Sequence, residues 1–155
     1  ETSIVGHLTA RGRRDLIVAG HQQITREWWQ QRRDEFELFV SQLVVNEATA
    51  GDPQAAAERL ALMESCPSLD ITEEAVALAR RLVQAGAVSP RAVEDALHIA
   101  LAVVHGMDYL VTWNCRHIAN AEVRAKVERV CRAAGYEPPV ICTPEEFMGE
   151  RNHVD

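Results

Sequence analysis

The stretch Ser89-Pro90-Arg91-Ala92-Val93-Glu94-Asp95-Ala96-Leu97-His98-Ile99-Ala100-Leu101-Ala102-Val103-Val104-His105, with Gly106-Met107-Asp108 and Tyr109-Leu110-Val111-Thr112 behind it, decides the fold. Ser89 suits an N-cap and Pro90 the first helical position, so a helix is expected over residues 89–105. Ala92, Val93, Ala96, Leu97, Ala100, Leu101 and Val104 recur at helical spacing and form one apolar stripe. Asp95 stands opposite the centre of that stripe, and His98 lies one turn further along. Gly106 to Asp108 reads as a turn, and Tyr109 to Thr112 as the best strand in the chain, β-rich and apolar.

Working backwards, Thr72 caps a helix over Glu73–Gln84 that Gly86 closes, and Leu69-Asp70-Ile71 reads as a strand. Asp52-Pro53 opens a helix over 55–64, and Gly51 ends a short one over 41–50. Glu37-Leu38-Phe39-Val40 reads as a buried strand, preceded by a helix over 15–33. In that helix Leu16, Ile17, Gly20, Ile24 and Trp28 share a face, and Trp29 falls off it as a core satellite or a partner contact. Forwards, a loop from Trp113 to Ile118 leads to a helix over 120–134 ended by Gly135, then a strand Pro139-Val140-Ile141-Cys142. Thr143-Pro144-Glu145-Glu146 is a capping box, so a final short helix starts there. Strands alternating with helices predict an α/β fold, a parallel sheet covered on both faces in an α/β/α sandwich. Residues 1–149 read as a single domain, with 150–155 as a frayed polar tail.

Composition narrows the function classes. A net charge of −7 and a pI near 5.4 argue against holding nucleic acid by overall charge alone. All basic residues but Lys126 are Arg, the side chain that grips phosphate with paired hydrogen bonds. Cys66, Cys115, Cys131 and Cys142 are scattered without a Cys-x-x-Cys pair, which fits reduced thiols in a cytoplasmic protein better than disulfides or a zinc site. No apolar run is long enough to span a membrane. No Gly-rich phosphate loop is present to support a nucleotide-binding reading.

Taken alone, Asp95 reads as a solvated residue on an outer face. Its company changes that reading. Glu1-Thr2-Ser3, Asn46-Glu47, Asp95-Ala96-Leu97-His98-Ile99-Ala100 and Thr112-Trp113-Asn114 follow one another in order, and over nearly the whole chain this sequence resembles PIN-domain proteins, closest to the VapC-like group. The resemblance implies a PIN-like three-layer α/β/α sandwich with a central parallel sheet, including a strand directly before the first acid. It implies a divalent-metal-dependent endoribonuclease that hydrolyses RNA phosphodiesters with Mg²⁺ or Mn²⁺, either as the toxin of a toxin–antitoxin pair or as a stand-alone enzyme. The implied catalytic and metal-binding residues are Glu1, Glu47, Asp95 and Asn114. Glu1 stands where Asp is usual, and Asn114 where many members carry a fourth acid, so the resemblance leaves open one metal or two. RNA, an antitoxin protein and a second copy in a homodimer are the implied partners. Products with a 5′-phosphate and a 3′-hydroxyl would follow from attack by water.

Arg11, Arg13, Arg14 and Arg116 are candidates for substrate phosphate contacts, although on sequence alone Arg11-Gly12-Arg13-Arg14 reads better as a solvated turn. Thr2 and Thr112 are expected to fix neighbouring side chains, and His98 to be a structural residue beside the site. Glu94 and Asp108 are expected to be solvated. The alternative is a catalytically decayed PIN module that binds RNA or a protein partner, and Asn114 is the feature that favours it.

Overall fold

A computed structural model describes residues 1–10 and 15–149. The chain runs α1 (Thr2–Thr9), α2 (Leu16–Arg32), β1 (Val40–Ser41), α3 (Gln42–Ala48), α4 (Pro53–Met63), β2 (Ser68–Leu69), α5 (Glu73–Gln84), α6 (Val93–Val104), β3 (Tyr109–Val111), α7 (Ala121–Ala133) and β4 (Val140–Cys142), with 3-10 turns at Arg33–Glu35 and Pro144–Phe147.

The main core is built by helices. α5 and α6 pack along each other, with α7 behind them, and Leu78, Leu82, Ile99, Ala100, Ile118, Val127 and Cys131 meet in one cluster. α6 is buried on most of its circumference: Ala96 and every residue from His98 to Val103 are inaccessible. Its N-terminal turn alone faces water, with Val93 and Glu94 exposed. The sharp exit from α6 at Gly106, φ +69°, lets the Met107 N–H reach the Ala102 carbonyl at 2.9 Å and aims the chain into β3.

The expected α/β/α sandwich around a central parallel sheet is not what forms. Only four strands of two or three residues occur among the described residues, as two separate parallel pairs: β1 with β2 (Val40 opposite Ser68), and β3 with β4 (Tyr109 opposite Val140). The run Glu37–Val40, expected to be buried, leaves Phe39 exposed, as the run Leu69–Ile71 leaves Ile71, and the two contribute only Val40 and Leu69 to a two-residue ladder. Ladders this short exchange few hydrogen bonds and cannot organise a layer; helix-on-helix burial does so instead. Between the pairs lies a mainly apolar cavity of about 680 Å³, walled by Phe39 and Val40 on one side and by Tyr109, Leu110 and Val111 on the other.

Two helices also depart from the sequence expectation. α6 begins at Val93 rather than at Ser89, whose carbonyl instead accepts from Ala92 N in a turn, and Ala92 provides no side-chain cap. Its predicted stripe correctly marks Ala96, Ala100 and Leu101 but includes exposed Val93 and omits buried His98, Ile99, Ala102 and Val103. In α2 the first turn of the predicted apolar face opens in solvent, with Leu16 86% and Ile17 72% exposed, whereas Trp28 of that face is buried with Ile24 packed beside it, and Gln22 and Thr25 are buried as well. Polar residues lie inside because Thr25 accepts a hydrogen bond from the Trp113 indole at 2.7 Å, joining α2 to the loop after β3. Trp29 packs at the edge of the Ile4, Trp28 and Trp113 cluster, with the Arg33 guanidinium 4.5 Å above its ring. The capping box at Thr143 forms as expected: Thr143 N donates to the Glu146 carboxylate at 2.7 Å.

Ile99 is fully buried at the α5–α6 contact. Ile99→Ala should therefore cost about 2–5 kcal/mol in urea denaturation. A cost below about 1 kcal/mol would contradict the helical core described here.

Candidate metal centre

Four separated segments deliver the site. Glu1 is the N-cap of α1, and its carboxylate accepts from Ser3 N at 3.1 Å, from the Ser3 hydroxyl, and from Thr112 Oγ1 at 2.7 Å. Its main-chain nitrogen donates to the Val111 carbonyl at 3.2 Å, which docks α1 onto the end of β3. Glu47 sits in the last turn of α3, where it accepts from the Thr2 hydroxyl and contacts His98 Nε2 at 3.0 and 3.2 Å through its two oxygens. Asp95 and His98 come from the first two turns of α6, and Asn114 from the loop after β3.

Glu1, Glu47 and His98 can each turn one ligand atom to within 4.8 Å of the other two. Asp95 borders this group and is held by Asn114, whose Nδ2 donates to Asp95 Oδ1 at 2.9 Å. The other end of that amide, Oδ1, accepts from His117 N at 3.0 Å. Asn114, expected to ligate or to position water, thus has both ends of its amide engaged and acts here as a brace for Asp95.

The charges respond to this crowding in opposite directions. Burial pushes Asp95 upward from the usual carboxylate range, and the negative charges of Glu1 and Glu47 push it further against the opposing pull of His117 and His98. Burial also pushes Glu1 upward, while the Ser3 and Thr112 hydrogen bonds and the charge of His98 pull it down. Glu47 is lowered: His98 and the Thr2 hydroxyl overcome its burial. Two acids are thus favoured in the ionised form by donors, while the third carries a burial cost and the repulsion of the other two.

Of the expected site acids Glu1 and Glu47 come together, Asp95 lies near enough to feel their charge, and Thr2 and Thr112 hydrogen-bond Glu47 and Glu1. His98, expected to be a structural residue beside the site, is only 4% exposed and contacts Glu47 through Nε2. A signal was available: it follows Asp95 by three residues, so a helix that buries one face toward the acids brings both to it. Ser3 was missed as a partner of Glu1, although its place two residues after an N-cap invites the bond. Arg116 lies exposed two residues after Asn114, whereas Arg11, Arg13 and Arg14 lie outside the described residues. Glu94 and Asp108 are exposed, as expected. The cysteines take no part: all four are free, and burial pushes the Cys131 and Cys142 thiols up to about 11 and about 12.

No family model, curated protein or solved structure matches the chain in comparisons with known proteins. The functional reading consequently rests on the site itself.

Because its folded pKa is raised, Asp95 favours the native state most at low pH and progressively less as pH rises from about 3.9, the unfolded aspartate value, through its folded value. Asp95→Asn should therefore raise the melting temperature at pH 7 in EDTA by about 1–3 °C and leave it nearly unchanged at pH 3. An unchanged or lower melting temperature at pH 7 would show that Asp95 does not carry the cost of burial and like charge described.

Proposed function

We propose that the protein is a divalent-metal-dependent endoribonuclease that hydrolyses RNA phosphodiesters, of the PIN-domain type that its ordered acidic motifs resemble. The observation carrying this reading is the convergence of Glu1, Glu47 and Asp95 from α1, α3 and α6, each oriented by its own hydrogen-bond partner. Carboxylates brought together without a counter-cation repel, and the proton affinity of Asp95, raised first by burial, is raised further by Glu1 and Glu47. The donor set fits Mg²⁺ or Mn²⁺, hard ions that bind carboxylate oxygens and keep several waters. Such an ion, when bound, would acidify a water and offset charge on the phosphate.

The residues of the chain supply placement. Ser3 and Thr112 hold Glu1, while Thr2 and His98 hold Glu47, so neither acid has to be ordered when substrate arrives. Asn114 keeps Asp95 beside them without adding a fourth negative charge. Arg116, exposed close by in sequence, is the described candidate for a phosphate contact. Attack by water would leave a 5′-phosphate and a 3′-hydroxyl. As a toxin, the protein would have an antitoxin partner able to place an Arg among these carboxylates, and a homodimer would be its own assembly.

The second reading is a decayed module that binds RNA or a protein without cleaving. The engagement of both ends of the Asn114 amide favours it, since that position then offers the site no free acidic oxygen.

Incubation of the purified protein with a mixed RNA pool and Mn²⁺ or Mg²⁺ tests both. Cleavage should be abolished by EDTA and fall at least about 100-fold in Asp95→Asn, more than the loss typical of removing a metal's outer partner. Equal cleavage by Asp95→Asn would refute the proposed role. RNA binding without turnover under every metal condition would support the decayed module.

A further inference from the structure

We infer that His98 is itself a metal ligand, so that Glu1, Glu47 and His98 form a two-carboxylate, one-imidazole centre that takes Mn²⁺ or Co²⁺ ahead of Mg²⁺. The inference rests on the metal-dependent reading above and adds to it the identity of a ligand and the class of ion.

Three observations carry it. The ligand atoms of these three residues fall within 4.8 Å of one another. Ligands on one ion, with bonds of about 2.0–2.2 Å, lie roughly 3–4 Å apart, so a small contraction closes the set. Second, the imidazole points one particular nitrogen at the acids: Nε2 lies 3.0 Å from Glu47 Oε2 and 3.2 Å from Oε1, on a ring only 4% exposed. Third, Asp95, one of whose oxygens accepts from the Asn114 amide, is not one of the three residues whose ligand atoms meet, so the acid expected to complete an all-carboxylate set stands beside this group.

The location of His98 makes the arrangement rigid. It lies on the buried stretch of α6, between Ala96 and Ile99, which are both fully enclosed. The ring therefore cannot swing into water to avoid an incoming cation. With its proton on Nδ1, a neutral imidazole offers the Nε2 lone pair toward Glu1 and Glu47. Oxygen-only sets suit Mg²⁺, whereas an imidazole nitrogen favours transition ions, with Co²⁺ above Mn²⁺ in the general affinity order. The competing account makes His98 a pure positioning residue that donates Nε2–H to Glu47 and never meets the ion. The two accounts differ in where the ring proton resides once metal is bound.

The test uses the full chain with histidine side-chain ¹⁵N NMR during titration with Zn²⁺, a diamagnetic imidazole-binding ion. The expected result is a saturable shift of the His98 Nε2 resonance without a proton on that nitrogen. In parallel, Mn²⁺, Co²⁺ and Mg²⁺ affinities are measured for wild type and for His98→Gln, which keeps a donor for Glu47 but removes the imidazole nitrogen. Loss of a direct ligand should weaken Mn²⁺ and Co²⁺ by at least about tenfold, while Mg²⁺ changes by less than about threefold. A protonated Nε2 in the ion-bound protein, or equal losses for all three ions, would overturn the inference and leave the nuclease reading standing. Absence of saturable binding of any ion to wild type would overturn both. The NMR measurement on wild type decides the matter even if the Gln variant fails to fold.

Discussion

Three carboxylates held close together beside a buried helix are the constraint on which the rest of this structure depends. α6 is enclosed on most sides, yet its first turns carry Asp95 and His98 toward Glu1 and Glu47. Charged groups are tolerated at such depth only when hydrogen bonds or opposite charges compensate them. Here the compensation is uneven. Glu1 and Glu47 draw enough donors to remain ionised readily, whereas Asp95 has one amide donor and two like-charged neighbours. The surplus negative charge is the physical basis for expecting a cation.

The compensating groups also tie the fold together. Ser3 donates to Glu1 and accepts from Trp113 N at 2.9 Å, so the first turn of α1 is fixed to the loop after β3. Trp113 extends the chain of contacts through its indole to Thr25 in α2, and the His21 ring stacks on it with centroids 3.9 Å apart. Thr112 bonds Glu1 and accepts from Asn114 N at 2.9 Å, setting the turn from which Asn114 reaches Asp95. Short polar side chains therefore serve structure and site together, and they explain why α2 buries Thr25 while leaving Leu16 and Ile17 in solvent.

Much of this was legible in the sequence where local chemistry governs. The helix over Glu73–Gln84, its Thr72 cap, the glycines ending α5 and α7 and the Thr143 capping box follow from short-range rules, and all form. The order of Glu1, Glu47 and Asp95 singled out residues that do converge. What was illegible depends on long-range packing. Periodicity places an apolar stripe but does not show that α6 is enclosed on nearly every side, so the burial of His98, Ile99, Ala102 and Val103 was not legible. Propensity identified short β-rich runs, yet whether separate runs join into one sheet is decided by tertiary packing, and here they remain two pairs. Asn114 looked like a substituted ligand because sequence does not reveal that its amide spans Asp95 and His117 N.

The central claim is that acids from different helices form one cation site. Calorimetric titration of Mn²⁺ into the metal-stripped wild type, Glu47→Gln and Asp95→Asn tests it most directly. The account predicts saturable binding to wild type, and weakening by at least about tenfold in each variant, because each removes one charge from a shared cluster. Wild-type affinity retained in both variants would mean that the carboxylates, though neighbours, do not act as one site.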